Sequence, residues 1–270
     1  MGTENKQLSM AASAIALRGA HMFLTAGKAA AERRLPPPPQ PAVKPRPKPK
    51  PIVFGSRPSQ KVFEMLFKTT KFNKDELEAL YSMYRKLVVA AQAAAPATAI
   101  GHPPKIEGID QSTFRDVMHN TFDLVTEEAI LERIWVTWER GAVGGEGALR
   151  FEAWVKGLSV LLRGTNEERR NHCFAVYDLN SDGYITKDEM FLLLKNSLLK
   201  QPGDEDPDEG VRDLVELVLK KMDIDKDGRV SSEDYKESVE QEPLLLEAFG
   251  QCLPSKRHAA AFLKNLCTKT

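Results

Sequence analysis

From residue 61 onward, apolar positions recur at helical spacing and predict a series of amphipathic helices. Asn73 can cap the first of them through Glu76, and apolar side chains at 77, 80, 81, 84, 87 and 88 share one face. A glycine and two prolines at 101–104 interrupt the pattern before a predicted helix over 112–122. A further helix opens at Thr126, and we expect its tryptophans to lie in the core. The pattern favours an all-α fold.

Two twelve-residue segments, 178–189 and 223–234, interrupt the later helices with oxygen donors at matching positions. A glycine stands at position 6 of each, where the chain must turn sharply, and position 8 is apolar (Ile185 and Val230). Position 7 would contribute its backbone carbonyl. The candidate metal ligands at positions 1, 3, 5, 7 and 12 are Asp178, Asn180, Asp182, Tyr184 and Glu189 in the first loop, and Asp223, Asp225, Asp227, Arg229 and Asp234 in the second.

This spacing is typical of EF-hand loops, which surround a hard Ca²⁺ ion with six to eight oxygens. Two solvated acidic turns would be the alternative, but they do not explain a glycine at position 6 and an apolar residue at position 8 in both segments. The sequence therefore predicts two calcium sites.

The two loops differ at position 12, where Glu189 is one methylene longer than Asp234. The shorter side chain favours coordination through one oxygen, and hence weaker calcium binding or better tolerance of Mg²⁺. The second loop has four ligand carboxylates against three in the first, which partly offsets this difference. We expect the 178–189 loop to be the better calcium site, with magnesium as an alternative ion at 223–234.

Two further loops resemble EF-hand loops that have lost their ligands. Gly144 and Gly145 stand in the first of them, Leu149 matches the apolar position 8, and Ala153 stands where the last acidic ligand belongs. The second is the break over residues 90–110, where Ile109 precedes a helix. Because EF-hands pack in pairs, we expect four hands in two pairs, two intact and two degenerate, with two short strands joining the loops.

The amino-terminal segment has a different composition. Residues 1–60 contain ten Lys/Arg and two Glu, a net charge of +8, and nine of the 17 prolines lie within 36–51. This proline content predicts an extended linker. The expected organisation is a basic arm (1–60), a degenerate hand pair (61–163), a calcium-binding pair (164–250) and a tail with helical character (251–270). A basic arm suits an acidic surface such as tubulin, nucleic acid or anionic lipid, or it keeps the chain soluble.

Several segments resemble the calaxin family, ciliary relatives of the neuronal calcium sensors. They are Gly-Leu-Ser-Val-Leu-Leu-Arg-Gly at 157–164, Cys-Phe-Ala-Val-Tyr-Asp-Leu-Asn-Ser-Asp-Gly at 173–183, the segment 190–210 that ends in Pro-Gly-Asp-Glu-Asp-Pro-Asp-Glu-Gly, and Leu-Leu-Leu-Glu-Ala-Phe-Gly-Gln-Cys-Leu-Pro at 244–254. The family normally keeps ligands in its second hand, so the resemblance implies that this chain has lost one family site. The resemblance weakens over 61–154, and residues 1–60 have no counterpart in it.

The resemblance implies a calcium-binding protein of the ciliary or flagellar axoneme that regulates or docks outer-arm dynein. The implied partners are a dynein heavy chain or docking-complex coiled coils and the doublet microtubule, with no nucleic acid and no membrane. Alternatives are a structural axonemal component whose ion sites stabilise the fold, or a general cytosolic calcium sensor or regulatory subunit. We expect no enzyme, because the five histidines are scattered and no nucleophile or phosphate-loop pattern occurs.

Overall fold

Helices make up nearly all the regular structure in the computed structural model, which describes residues 57–94, 108–124, 128–140, 147–196 and 208–267. These residues belong to a unit that spans Ser56–Thr270. The helices are α1 (Gln60–Thr69), α2 (Lys74–Ala94), α3 (Gln111–Phe122), α4 (Glu128–Arg140), α5 (Phe151–Arg163), α6 (Asn166–Tyr177), α7 (Lys187–Leu194), α8 (Glu209–Met222), α9 (Ser232–Gln241) and α10 (Lys256–Cys267). The predicted all-α fold is confirmed.

The two intact loops pair through the strands β1 (Tyr184–Ile185) and β2 (Val230–Ser231), which run antiparallel. The degenerate loops pair in the same way. Ile109 and Leu149 form an antiparallel bridge in which each backbone N–H donates to the other's carbonyl, at 3.0 and 2.8 Å. Both side chains are fully buried. The apolar position 8 therefore keeps its structural role in the loops that lost their acidic ligands.

Aromatic side chains fill the core of the degenerate half. The ring of Phe114 lies 5.2 Å from each of Trp135 and Trp138, and Trp138 lies 5.9 Å from Trp154. All four side chains are buried, so these tryptophans belong to the core, as the sequence indicated. Gly157 of α5 allows this packing, because a Cβ there would lie only 2.2 Å from the Trp138 ring.

A partly buried ion pair joins the start of α2 to the end of α5. Glu76 accepts from Arg163 at 2.6 and 2.9 Å, and these bonds lower the pKa of Glu76. The expected cap is present as well, since Asn73 Oδ1 accepts from the Glu76 N–H at 2.8 Å. The sequence pattern did not distinguish α1 from the helix that follows it. Helix α1 packs on α2 and α5 through buried Phe63 and Leu66.

The chain returns from the intact hands to the degenerate half. After α9, a short 3₁₀ helix (Pro243–Glu247) packs against α6 and α9, and the Tyr177 hydroxyl donates to the Gly250 carbonyl at 2.5 Å. Helix α10 then packs on α2, α3 and α5, with the ring of Phe262 5.1 Å from that of Phe122.

The helix that leaves the first intact loop begins inside that loop. Helix α7 starts at Lys187, two residues before the last predicted ligand. Thr186 caps it, and Glu189 completes a capping box, so the first turn overlaps the end of the ion loop. Residues 1–56 of the predicted arm lie outside the described residues, and the predicted domain boundaries stay a prediction.

Candidate metal centre

The first loop begins at the end of α6, where Asp178 is the C-cap. Its carboxylate accepts the backbone N–H groups of Asp182 at 3.2 Å and Gly183 at 3.0 Å. Gly183 has a φ of +89°, a conformation that favours glycine and turns the chain back around this carboxylate. The Asn180 amide lies beside the Asp182 carboxylate at 2.9 Å. The structure therefore brings the first three predicted side-chain ligands to one side of the loop.

Glu189 closes the first loop from its far end. One carboxylate oxygen accepts from the N–H groups of Leu179 at 2.9 Å and Asn180 at 3.0 Å. The other oxygen accepts from the N–H and hydroxyl of Thr186 at 2.9 and 2.8 Å. The side chain is buried. Glu189 thus spans the loop from position 12 back to positions 2 and 3.

The second loop repeats this arrangement. Asp223 is the C-cap of α8, and its carboxylate accepts from the N–H groups of Asp227 at 3.1 Å and Gly228 at 2.9 Å. Gly228 has a φ of +91°. Carboxylate oxygens of Asp223, Asp225 and Asp227 lie within 4.8 Å of one another. Such a set of mutually repelling carboxylates is a suitable environment for a divalent cation.

The last acidic residue reaches less far in the second loop. Asp234 accepts from the Ser231 N–H at 3.0 Å and the Ser231 hydroxyl at 2.7 Å, which matches the contacts of Glu189 with Thr186. Its contact with the position-2 N–H, that of Ile224, is longer, at 3.3 Å. The missing methylene is therefore visible as a weaker connection across the loop.

Arg229 and Tyr184 occupy position 7 of the two loops and contact each other through their side chains. The guanidinium carbon of Arg229 lies 3.5 Å from the centre of the Tyr184 ring. The same guanidinium bonds Asp227 at 2.9 Å, and this hydrogen bond lowers the pKa of the Asp227 carboxyl. Both residues were predicted as ligands through their backbone carbonyls, whereas these contacts involve only their side chains.

The donor chemistry fits a hard divalent cation in both loops. The first offers three carboxylates, one amide oxygen and one backbone carbonyl, and the second offers four carboxylates and one carbonyl. Calcium takes six to eight oxygens at such loops, with carboxylates binding through one or both oxygens, whereas Mg²⁺ demands near-ideal octahedral geometry. The individual ligand assignments stay predictions.

The degenerate loop that ends at Ala153 keeps the turn at position 6 but takes its acidic contact from outside the loop. Counting from Ile109 and Leu149 at position 8, position 12 falls on Thr113 and Ala153. Gly147 falls on position 6 and keeps a positive φ of +69°. Its N–H donates to Glu139 at 3.1 Å, where the intact loops use the aspartate at position 1. Sequence reasoning missed Glu139, because this carboxylate comes from the end of α4 and not from the loop.

Comparisons with known proteins agree with this geometry. The model of an EF-hand domain pair matches residues 167–240, which include both intact loops. Calaxin of Xenopus laevis is 46% identical over 211 residues, covering 78% of this chain and 95% of that protein. The chain belongs to the calaxin family. Calaxin of Bos taurus is 44% identical and that of Homo sapiens 43% identical, each over 204 residues, covering 75% of this chain and 91% and 90% of the relatives.

Family membership and the hand pair together make this chain an EF-hand calcium-binding protein. The alignment covers nearly the whole length of other calaxins, so the degenerate half belongs to the family as well as the ion-binding half. Among the described helices, none combines the length and the apolar character that crossing a bilayer requires.

Proposed function

We propose that this protein is a calcium-responsive adaptor of the ciliary or flagellar axoneme that docks or regulates outer-arm dynein on doublet microtubules. The observation that supports it most is 46% identity along 95% of a calaxin, with two loops whose oxygen donors fit calcium. The axonemal role is the one that the family resemblance implies, and binding fits this chain better than catalysis.

Glu189 connects the predicted ion site of the first loop to the helix that follows it. It is the last predicted ligand of the first loop and also the third residue of α7. Bound calcium would supply two positive charges at the carboxylates, and any shift of the Glu189 side chain would carry the start of α7 with it. Asp234 has the same place in α9. Ion binding in either loop would therefore act directly on the first turn of a helix.

The apolar faces that could hold a partner helix are closed in this structure. Met190 of α7 and Met222 of α8 are fully buried, and their helices pack on one another. A sensor would have to open this pair to expose a groove for an apolar helix of a dynein or docking-complex subunit. Leu192, 59% exposed on α7, is the one large apolar side chain of that helix already at the surface.

A structural role is the second candidate, and the degenerate half favours it. The Ile109–Leu149 bridge and the Glu139–Gly147 contact hold the two degenerate loops without any acidic ligand at position 12. That half can serve as a calcium-independent docking platform. The two candidates differ in whether calcium changes partner binding.

Co-sedimentation with salt-extracted axonemes, with and without added outer-arm dynein, tests the proposal. Calcium should change the amount of dynein retained by the full-length protein, and the double variant Glu189→Gln/Asp234→Asn should abolish that change. Asp188→Asn is the matched control, because Asp188 neighbours Glu189 but is exposed. Binding that ignores calcium in all proteins would favour the structural role, and no binding to axonemes would overturn the proposal.

The basic arm has its own place in this proposal. Its net charge of +8 would attract the acidic surface of tubulin and tether the EF-hand unit to the microtubule. Deleting residues 1–51 should reduce microtubule co-sedimentation while leaving calcium binding intact. The loss should resemble that caused by raising the salt from 0.1 to 1 M, which shortens the Debye length from about 10 to about 3 Å. Equal sedimentation of both proteins at low salt would rule out the tether.

A further inference from the structure

We propose that Arg133, on α4 of the degenerate half, positions the 178–189 loop and raises its affinity for calcium. The inference rests on the proposed function in one respect, the assignment of this loop as a calcium site. It adds a residue that lies outside the loop, 45 positions before its first ligand.

Arg133 reaches the end of α6 from the neighbouring helix. Its Nη2 donates to the Asp178 carbonyl at 2.6 Å, and its Nε donates to the Val176 carbonyl at 3.4 Å. One turn further along α4, the Thr137 hydroxyl lies 3.4 Å from the Ala175 carbonyl. Helix α4 thus contacts three carbonyls at the carboxyl end of α6. Carbonyls at this end of a helix have no N–H partner within the helix. A guanidinium is suited to this place, because it carries positive charge and donates in two directions.

The contact with Asp178 acts on the loop through a single peptide group. The Asp178 carbonyl and the Leu179 N–H belong to the same peptide unit, which is planar, so fixing one fixes the direction of the other. The carbonyl accepts from Arg133, and the N–H donates to Glu189 at 2.9 Å. A continuous connection therefore runs from α4, through one peptide plane, to the carboxylate that closes the loop.

The second loop provides an internal comparison. Its equivalent N–H, that of Ile224, donates to Asp234 at the longer distance of 3.3 Å. Asp223 is the C-cap of α8, whereas Arg133 contacts the end of α6. A change at Arg133 should therefore affect the first loop and spare the second.

Positioning and simple electrostatics make opposite predictions here. The charge of Arg133 repels a bound cation, so an effect of charge alone would make its removal raise calcium affinity. If Arg133 positions the peptide plane, its removal lowers the affinity. Arg133→Lys separates the two, since it keeps the charge but loses the planar, two-directional donor.

The experiment is a calcium titration of the full-length protein, followed by NMR at the amides of Gly183 and Gly228. Each of these N–H groups donates to the first carboxylate of its own loop, so each reports on one loop. Arg133→Met should weaken binding at Gly183 on the order of tenfold, as expected for one charge-assisted hydrogen bond, with less than about a twofold change at Gly228. Arg133→Lys should also weaken binding, but less.

Arg115→Met is the matched control, because Arg115 forms an exposed ion pair with Glu128 within the degenerate half. It should leave both reporters unchanged. Unchanged or tighter binding at Gly183 in both Arg133 variants, or equal weakening at both glycines, would overturn the proposal. Failure of the calcium assignment itself looks different, because Gly183 of the unaltered protein would then not respond to calcium at all.

Discussion

Exchanging the two position-12 residues tests how the length of one side chain sets calcium affinity. Glu189 accepts two N–H groups across its loop at 2.9 and 3.0 Å, whereas Asp234 has one such contact at 3.3 Å. Glu189→Asp withdraws the carboxylate by about one C–C bond, roughly 1.5 Å, which weakens both contacts to the level seen at Asp234 and favours coordination of the ion through one oxygen. We expect an affinity loss of about tenfold at this loop, or about 1.4 kcal/mol.

Asp234→Glu is the reciprocal change and should strengthen the second loop several-fold. Calorimetry on the full-length protein measures both affinities, and Asp188→Glu controls for the same methylene step at an exposed neighbouring position. The double exchange should reverse the order of the two sites. If Glu189→Asp leaves the stronger site unchanged, or Asp234→Glu weakens its loop, side-chain length does not determine the ranking.

Three further predictions follow from the packing and the charges. Calcium titration should saturate at two ions per chain, since the degenerate loops have Thr113 and Ala153 at position 12; a third tight site seen by calorimetry would contradict this. Gly157→Ala should lower the free energy of unfolding by about 2 kcal/mol in urea, because overpacking against a tryptophan ring outweighs the gain in helix propensity. Burial lowers the pKa of His172 from 6.5 to about 4, so the unfolded chain takes up the proton first and stability falls as the pH drops from 6.5 towards 4. Between pH 7.5 and 5 the free energy of unfolding should fall by about 2 kcal/mol more in the unaltered protein than in His172→Phe, as measured by urea unfolding with a calcium chelator present. Equal falls in the two proteins would refute the lowered pKa of His172.

The ion loops could be predicted because their information is local. Twelve consecutive residues supply the turn, the donors and the apolar position 8, so spacing alone indicates the chemistry. The degenerate loops were harder, yet Ile109 and Leu149 marked them correctly, because burial of an apolar residue outlasts the loss of acidic ligands. The start of α7 has no signal separate from that of the loop, because Thr186 serves both as a loop residue and as a helix cap.

Contacts between distant segments could not be predicted in this way. Glu139 is an ordinary helical glutamate until the turn brings Gly147 within 3.1 Å, and Arg133 is an ordinary helical arginine until α4 packs beside α6. Neither contact leaves a spacing signal, since the partner is a backbone group that every residue possesses. Periodicity could suggest a helix in the tail but not which surface it covers.

The packing of α10 links the unfolding of the intact half to that of the degenerate half. This helix follows the intact hands in sequence, yet it buries Ala259, Phe262 and Leu266 against the half that has lost its ligands. Melting the degenerate half therefore exposes a helix tethered to the intact one. Calcium at 100 times its dissociation constant adds about 2.7 kcal/mol per site to the folded state. Where the two halves unfold together, that gain would also stabilise the half whose loops lack an acidic residue at position 12, so calcium should raise the melting temperature of both halves.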